Sequence, residues 1–269
     1  MKKQKSILLI IISIFFFNYN YVQSEKDDIL KTVPYKTIEV NTLSDISNVS
    51  QNIKNDELFV FSIKKFTLRN LNVKKRKEVF IQLLLPTIRV VHEEIKNEHN
   101  IIDQLKIKPS LSEKEKNYST ILFKKYKVKF GNWEELKSKM IIYPTSLILS
   151  QGAIESAWGT SRFFREANNI FGVWSTNPNE PRLAARFARS NGFVPHLKKY
   201  KTLKESVSDL IFILSTKNVY KKVRELSQKG KSPSEITAGL TKYSEEGQKY
   251  IRKVKTTLRV NNFIKYDLN

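Results

Sequence analysis

The sequence predicts a mainly α-helical domain with one small irregular or β lobe between Trp174 and Tyr200. Three observations predict it. Apolar residues recur at three- and four-residue steps through most of the chain after residue 73. Ser or Asn caps, with a Glu three residues on, stand in front of several of these runs. Between Trp174 and Tyr200 the pattern lapses, and Pro178, Pro181, Gly192 and Pro195 fall among basic residues.

Taken in order, the elements begin with an address. Lys2, Lys3 and Lys5 precede an apolar run from Ile7 to Phe17, and Val22-Gln23-Ser24 offers a small-residue cleavage pattern. That run is short against the roughly 20 residues a bilayer span needs. Residues 1–24 therefore read as a signal peptide cleaved after Ser24, with an uncleaved anchor as the alternative. With no Cys after the run, a lipoprotein anchor is excluded. The expectation is an exported protein of the periplasm or cell envelope. Residues 25–72 are polar and read as a mostly irregular segment, in which Leu58 to Ile63 alternates like one strand or a docking segment.

The catalytic domain is expected over residues 73–269. A helix from Val73 to Asn97 carries the stripe Val79, Phe80, Leu83, Leu84, Ile88, Val91 and Ile95, and Pro86 within it should kink or split it. The capping box Ser112–Glu115 opens a helix through Lys125, and Asn132 caps another that ends near Lys139. Pro144 suits the first turn of a helix that reaches Glu155. Ser161 caps a turn through Arg165, closed by Asn168-Asn169. Residues 175–200 read as a loop or a small hairpin. Helices follow over Leu203–Leu214, Tyr220–Gln228, Ser232–Gly239 and Glu245–Phe263. No glycine-rich phosphate loop and no internal repeat is visible.

Composition narrows the function classes. Hydrophobic content of 40% with 11% aromatics is enough for a core. The 48 Lys+Arg against 26 Asp+Glu leave a formal +22. That charge suits an anionic surface such as phospholipid headgroups or acidic wall polymers, or it is a solvated basic surface in a Lys-, Asn- and Ile-rich chain. Export makes nucleic acid an improbable partner, and no aromatic-basic single-strand channel pattern is present. Cysteine is absent, which removes disulfide and thiolate chemistry. His92 and His99 share a helical face without a third ligand, so they read as two solvated histidines. No metal and no cofactor is implied.

The chemistry concentrates in residues 150–175, SQGAIESAWGTSRFFREANNIFGVWS. Glu155 lies one turn after Gln151, at the end of an apolar helix. Burial there and the helix C-terminus both disfavour its charged form, so its pKa should rise above ~4.3. A carboxyl still protonated near neutral pH is what a glycosidase acid requires.

Trp158-Gly159-Thr160-Ser161-Arg162-Phe163 and Asn168-Asn169-Ile170-Phe171-Gly172-Val173-Trp174 together resemble the flagellar-type β-N-acetylglucosaminidases, glycoside hydrolase family 73, and most nearly their Bax-like branch. The resemblance spans roughly residues 75–263 and includes Phe80–Val91, Leu203–Val207 and Leu240–Ser244. It implies a lysozyme-like helical lobe with a small variable β lobe across a groove. The implied substrate is peptidoglycan, cut at the N-acetylglucosaminyl β-1,4 linkage, with the chain working as a monomer. Glu155 aligns with the family's general acid. Tyr243 takes the place of a tyrosine that positions substrate or water. Gln151, Trp174, Phe171 and Asn169 are candidate substrate-binding residues.

The second carboxylate is the open point. Glu180, in Asn177-Pro178-Asn179-Glu180-Pro181, is the carboxylate that the irregular lobe offers, and this region departs from the family pattern. Without it, the substrate's own acetamido group or a water held by Tyr243 would serve. Two other readings stay open: a lytic transglycosylase using the same Glu155, and a non-catalytic wall- or polyanion-binding protein.

Overall fold

The computed structural model describes residues 30–49, 57–190 and 192–267. The expected signal peptide, residues 1–24, lies outside them.

Twelve elements position the site. Two strands, β1 (Lys36–Val40) and β2 (Phe59–Ile63), lead into α1 (Val73–Lys106), α2 (Glu113–Lys125), α3 (Trp133–Lys139), α4 (Thr145–Glu155) and α5 (Arg162–Ala167). The hairpin β3 (Arg182–Ala184) and β4 (His196–Lys198) follows, then α6 (Leu203–Thr216), α7 (Lys221–Gln228) and α8 (Gln248–Val260). The result is mainly helical, with two separate two-stranded sheets among the described residues.

Helix starts follow the local chemistry. Asn72 accepts the amide of Lys75 at the head of α1, and Asn132 accepts that of Glu135 at the head of α3. Ser112 with Glu115, and Ser232 with Glu235, each close a reciprocal capping box. The last helix starts later than expected, at Gln248, because Gly247 takes a left-handed φ of 50° and leaves Glu245 and Glu246 in a loop. At its other end Phe263–Tyr266 turn as a separate 3-10 segment.

Two expectations are corrected and a third is extended. Pro86 neither splits nor ends α1, which runs unbroken for 34 residues. The carbonyl that loses its partner to the proline belongs to Gln82, on the exposed face, where water can take the bond. Among the described residues of 25–72, the expected strand is β2, and it gains a partner the sequence did not announce. β1 and β2 pair in parallel, Lys36 with Phe59 through Val40 with Ile63, and β2 is buried against α1 and α6. Burial on both faces is why Val60, Phe61 and Ile63 do not alternate with polar residues. His92 and His99 are half-buried and bonded instead of standing free on the helix surface. Their Nε2 atoms lie 2.9 Å from the Tyr143 carbonyl and 2.6 Å from the Met140 carbonyl. From α1 they clamp the extended residues that lead into α4.

α4 is the centre of the core. Ser146 through Ala153 are all buried, with Leu147, Ile148 and Leu149 fully so. A helix apolar on every side belongs inside a protein, and α4 packs against α1 and α8. Only its C-terminal end emerges, carrying Glu155.

Candidate active site

The turn after α4 decides where Glu155 points. Ala157, Trp158 and Gly159 are consecutive left-handed residues, with φ of 48°, 58° and 74°. Only glycine adopts that region without cost, so the first two store about 1 kcal/mol or more each. Local bonds hold them there: Trp158 N donates to the Ala153 carbonyl at 2.9 Å, and Gly159 N to Ser156 Oγ at 2.8 Å. A Cβ on Gly159 would also meet Phe164 and Leu68 at 3.1 and 3.2 Å. The Trp158 ring is wedged edge-on against Phe80 at 5.6 Å, near Phe263 at 6.0 Å, with Lys77 Nζ 4.7 Å above it. The chain therefore reverses at once beyond Glu155, and the carboxyl stays at the mouth of the core.

The Glu155 carboxyl is half-buried, and burial raises its pKa above the ordinary carboxylate value. A hydrogen bond from Tyr250 opposes the shift, the Glu246 charge adds to it, and Lys253 opposes it. Lys253 Nζ holds both Glu246 oxygens at 2.7 Å, and that bond keeps Glu246 ionised. Tyr243 stacks on Tyr250 at 5.3 Å and 19°, with its hydroxyl titrating well above the ordinary range through burial and the Glu155 charge.

The hairpin lobe is tied down opposite the loop that carries Tyr243. Asn168, in a left-handed φ of 51°, accepts Ile63 N at 2.8 Å and donates to the Tyr200 and Lys201 carbonyls at 3.2 Å. Tyr200 Oη and Lys198 Nζ both bond Asp209 Oδ2, at 2.6 and 2.8 Å. Arg162 donates to the Ala184 carbonyl. Trp174 is 44% exposed, stacked near Phe193 at 6.3 Å, with the Arg189 guanidinium 4.6 Å over its ring. Arg189 also reaches Glu245 at 3.8 Å, so lobe and loop meet.

A half-buried acid, a tyrosine pair and an exposed tryptophan thus gather where helix, loop and hairpin converge. Residues 131–263 match the family model described as mannosyl-glycoprotein endo-beta-N-acetylglucosaminidase. This segment is a glucosaminidase-family domain. Protein bax of Escherichia coli (strain K12) is 30% identical over 187 residues, which is 65% of this chain and 66% of that protein. Among solved structures, the catalytic domain of the autolysin Auto from Listeria monocytogenes is 20% identical over 63% of this chain and 97% of that one, at a TM-score of 0.40. The glycoside hydrolase domain of Salmonella typhimurium FlgJ is 22% identical over 56% and 89%, at 0.38. A peptidoglycan hydrolase from Sphingomonas sp. A1 is 18% identical over 46% and 79%, at 0.38.

Within the glucosaminidase domain, the structure brings together Glu155 and Tyr243 and leaves Trp174 part-exposed on the hairpin lobe. Other expected residues stand elsewhere. Gln151 is fully buried, with Oε1 accepting from Tyr143 Oη at 2.8 Å and Nε2 donating to Tyr250 Oη at 3.3 Å, so it supports the site from behind instead of touching substrate. Asn169 is 1% exposed and spends its amide on Val173 and Lys198, which makes it a joint of the lobe. Phe171 is a buried wall. Glu180 lies half-buried on the lobe side, where its charge bears on the Tyr200 hydroxyl, after burial and Asp209. The carboxylate that acts on Glu155 is Glu246 instead.

Sequence reasoning missed Tyr250, Glu246, Lys253 and Tyr143. Tyr250 falls in line with Val254 and Leu258, so spacing alone marks it as core. The seven-residue step from Glu246 to Lys253 was the available signal for their pairing.

Proposed function

We propose that this protein is an exported peptidoglycan hydrolase that cleaves the N-acetylglucosaminyl β-1,4 linkage, with Glu155 as general acid. The observation that carries the reading is the Glu155 carboxyl, whose pKa burial raises, at the end of α4 inside the family-matched segment. Glu155 gives its proton to the glycosidic oxygen as the C1–O bond breaks, and water supplies hydroxide to C1 while its remaining proton restores the acid or passes to a base. In this reading Tyr243, stacked beside Tyr250, orients that water or the sugar, and Trp174, 44% exposed, is the ring that meets a sugar face as Arg189 yields. Glu180 on the facing lobe is the candidate second carboxylate. The formal +22 favours an anionic envelope surface as the place of work, with the chain acting as a monomer.

Mass spectrometry of purified peptidoglycan digested by the parent and by Glu155→Gln tests this. The parent should release fragments with a reducing N-acetylglucosamine end, and Glu155→Gln should lose at least about 100-fold in rate while still binding glycan. Anhydro-muramyl ends would convert the reading to a lytic transglycosylase, and full activity in Glu155→Gln would end it.

A further inference from the structure

Behind Glu155 runs a buried hydrogen-bond chain that substrate does not touch. Tyr143 and Gln151 are fully buried and Tyr250 is 2% exposed. Tyr143 Oη donates to Gln151 Oε1 at 2.8 Å, Gln151 Nε2 donates to Tyr250 Oη at 3.3 Å, and Tyr250 donates to the Glu155 carboxyl. Each link has one direction. The Gln151 carbonyl is taken by the Tyr143 proton, so its N–H must face Tyr250. A lone pair of Tyr250 is then taken, and its single proton is left for Glu155.

We propose that Tyr143 and Gln151 are positioning residues that decide which Glu155 oxygen carries the transferable proton. The inference rests on the reading of Glu155 as general acid. With Tyr250 donating to one carboxyl oxygen, the acid's own proton is left on the other, the one free to meet the glycosidic oxygen. The same Tyr250 proton steadies the carboxylate left behind after transfer. Without the Tyr143 hydroxyl, the Gln151 amide is free to turn its carbonyl toward Tyr250. Tyr250 then donates backward and accepts from Glu155, and the catalytic proton is drawn inward. The other groups facing Glu155 are the Glu246–Lys253 pair, which has no link to Tyr143, and the Tyr243 hydroxyl, which lies near enough to Tyr143 to feel its charge.

The test is Tyr143→Phe in the full chain, with hydrolysis of purified peptidoglycan followed across pH. kcat should fall about 10-fold with KM unchanged, and the alkaline limb of kcat should move to higher pH, since the carboxylate loses a donor. A packing defect alone would lower thermal stability and leave the pH profile in place. Carbon-13 titration of the Glu155 carboxyl in the parent and in Gln151→Leu reads the same upward shift without catalysis, and serves where Tyr143→Phe folds poorly. An unmoved limb in Tyr143→Phe, or an unmoved titration in Gln151→Leu, overturns the inference. Should Glu155→Gln stay active, the acid assignment itself fails; an inactive Glu155→Gln beside an unmoved limb sinks only the relay.

Discussion

Acid should loosen this fold through His92. Its ring is packed between α1 and the residues entering α4, with Nε2 2.9 Å from the Tyr143 carbonyl. A carbonyl only accepts, so the neutral ring keeps its proton on Nε2. Burial pushes the His92 pKa down from 6.5 to about 4; the Tyr143 carbonyl opposes the shift, Lys96 adds to it and Glu93 opposes it. In the unfolded chain the ring titrates near ~6.5. Between those values the unfolded state binds a proton that the folded state refuses. The contribution is therefore intact above pH 6.5 and drains away as pH falls toward 4. At ~1.4 kcal/mol per pH unit the interval is worth about 3 kcal/mol, a large share of a typical 5–15 kcal/mol stability.

Urea unfolding of the parent and of His92→Gln at pH 7.5, 6, 5 and 4.5 measures this. Gln keeps an N–H for the Tyr143 carbonyl but takes no proton in this range. The variant should be the less stable protein at pH 7.5, through imperfect packing, and should lose that deficit or overtake the parent by pH 4.5. A parent-to-variant difference constant over the range would refute the argument.

Two further outcomes follow from the structure. Asp267 Oδ1 accepts the Ser146 amide at 2.9 Å and so caps α4 from the far end of the chain; Asp267→Ala should cost about 1 kcal/mol, seen as a fall of about 2–4 °C in Tm by calorimetry. If the +22 charge gathers the protein on an anionic wall, retention on peptidoglycan sacculi should drop steeply between 50 mM and 500 mM NaCl, and flat retention would assign binding to the sugar site alone.

What the sequence revealed was local. Ser112–Glu115, Asn132, Pro144, Ser161 and Ser232–Glu235 each carry their own capping chemistry, and each marks a helix start within a residue or so. The raised pKa of Glu155 was legible from the buried end of an apolar run, whereas its assignment as an acid came from the resemblance carried by the residues after it. What escaped was non-local. β1 exposes most of its residues and finds β2 some twenty positions later, so neither strand announces the other. His92 and His99 look like surface histidines until the Tyr143 and Met140 carbonyls arrive from another segment. Gln151 and Asn169, polar residues inside a chemical-looking motif, suggest substrate contacts; burial assigns both to internal joints.

Those joints share a single mechanical task. α4 is short and buried on every side, and it ends on a carboxyl whose proposed role as an acid depends on place and protonation. Hydrogen bonds within eleven residues cannot set either. The structure fixes the head of α4 with Asp267 and with histidines braced on the preceding residues, and its tail with the left-handed turn wedged by Trp158. Its flank is bonded through Gln151 to α8, which also carries Tyr250 and Lys253. Since α8 supplies both the donor to Glu155 and the partner of Glu246, sliding that helix would change position and pKa of the acid together. Substitutions far from the sugar, at Tyr143, Asp267 or Trp158, are therefore expected to act on turnover and not on stability alone.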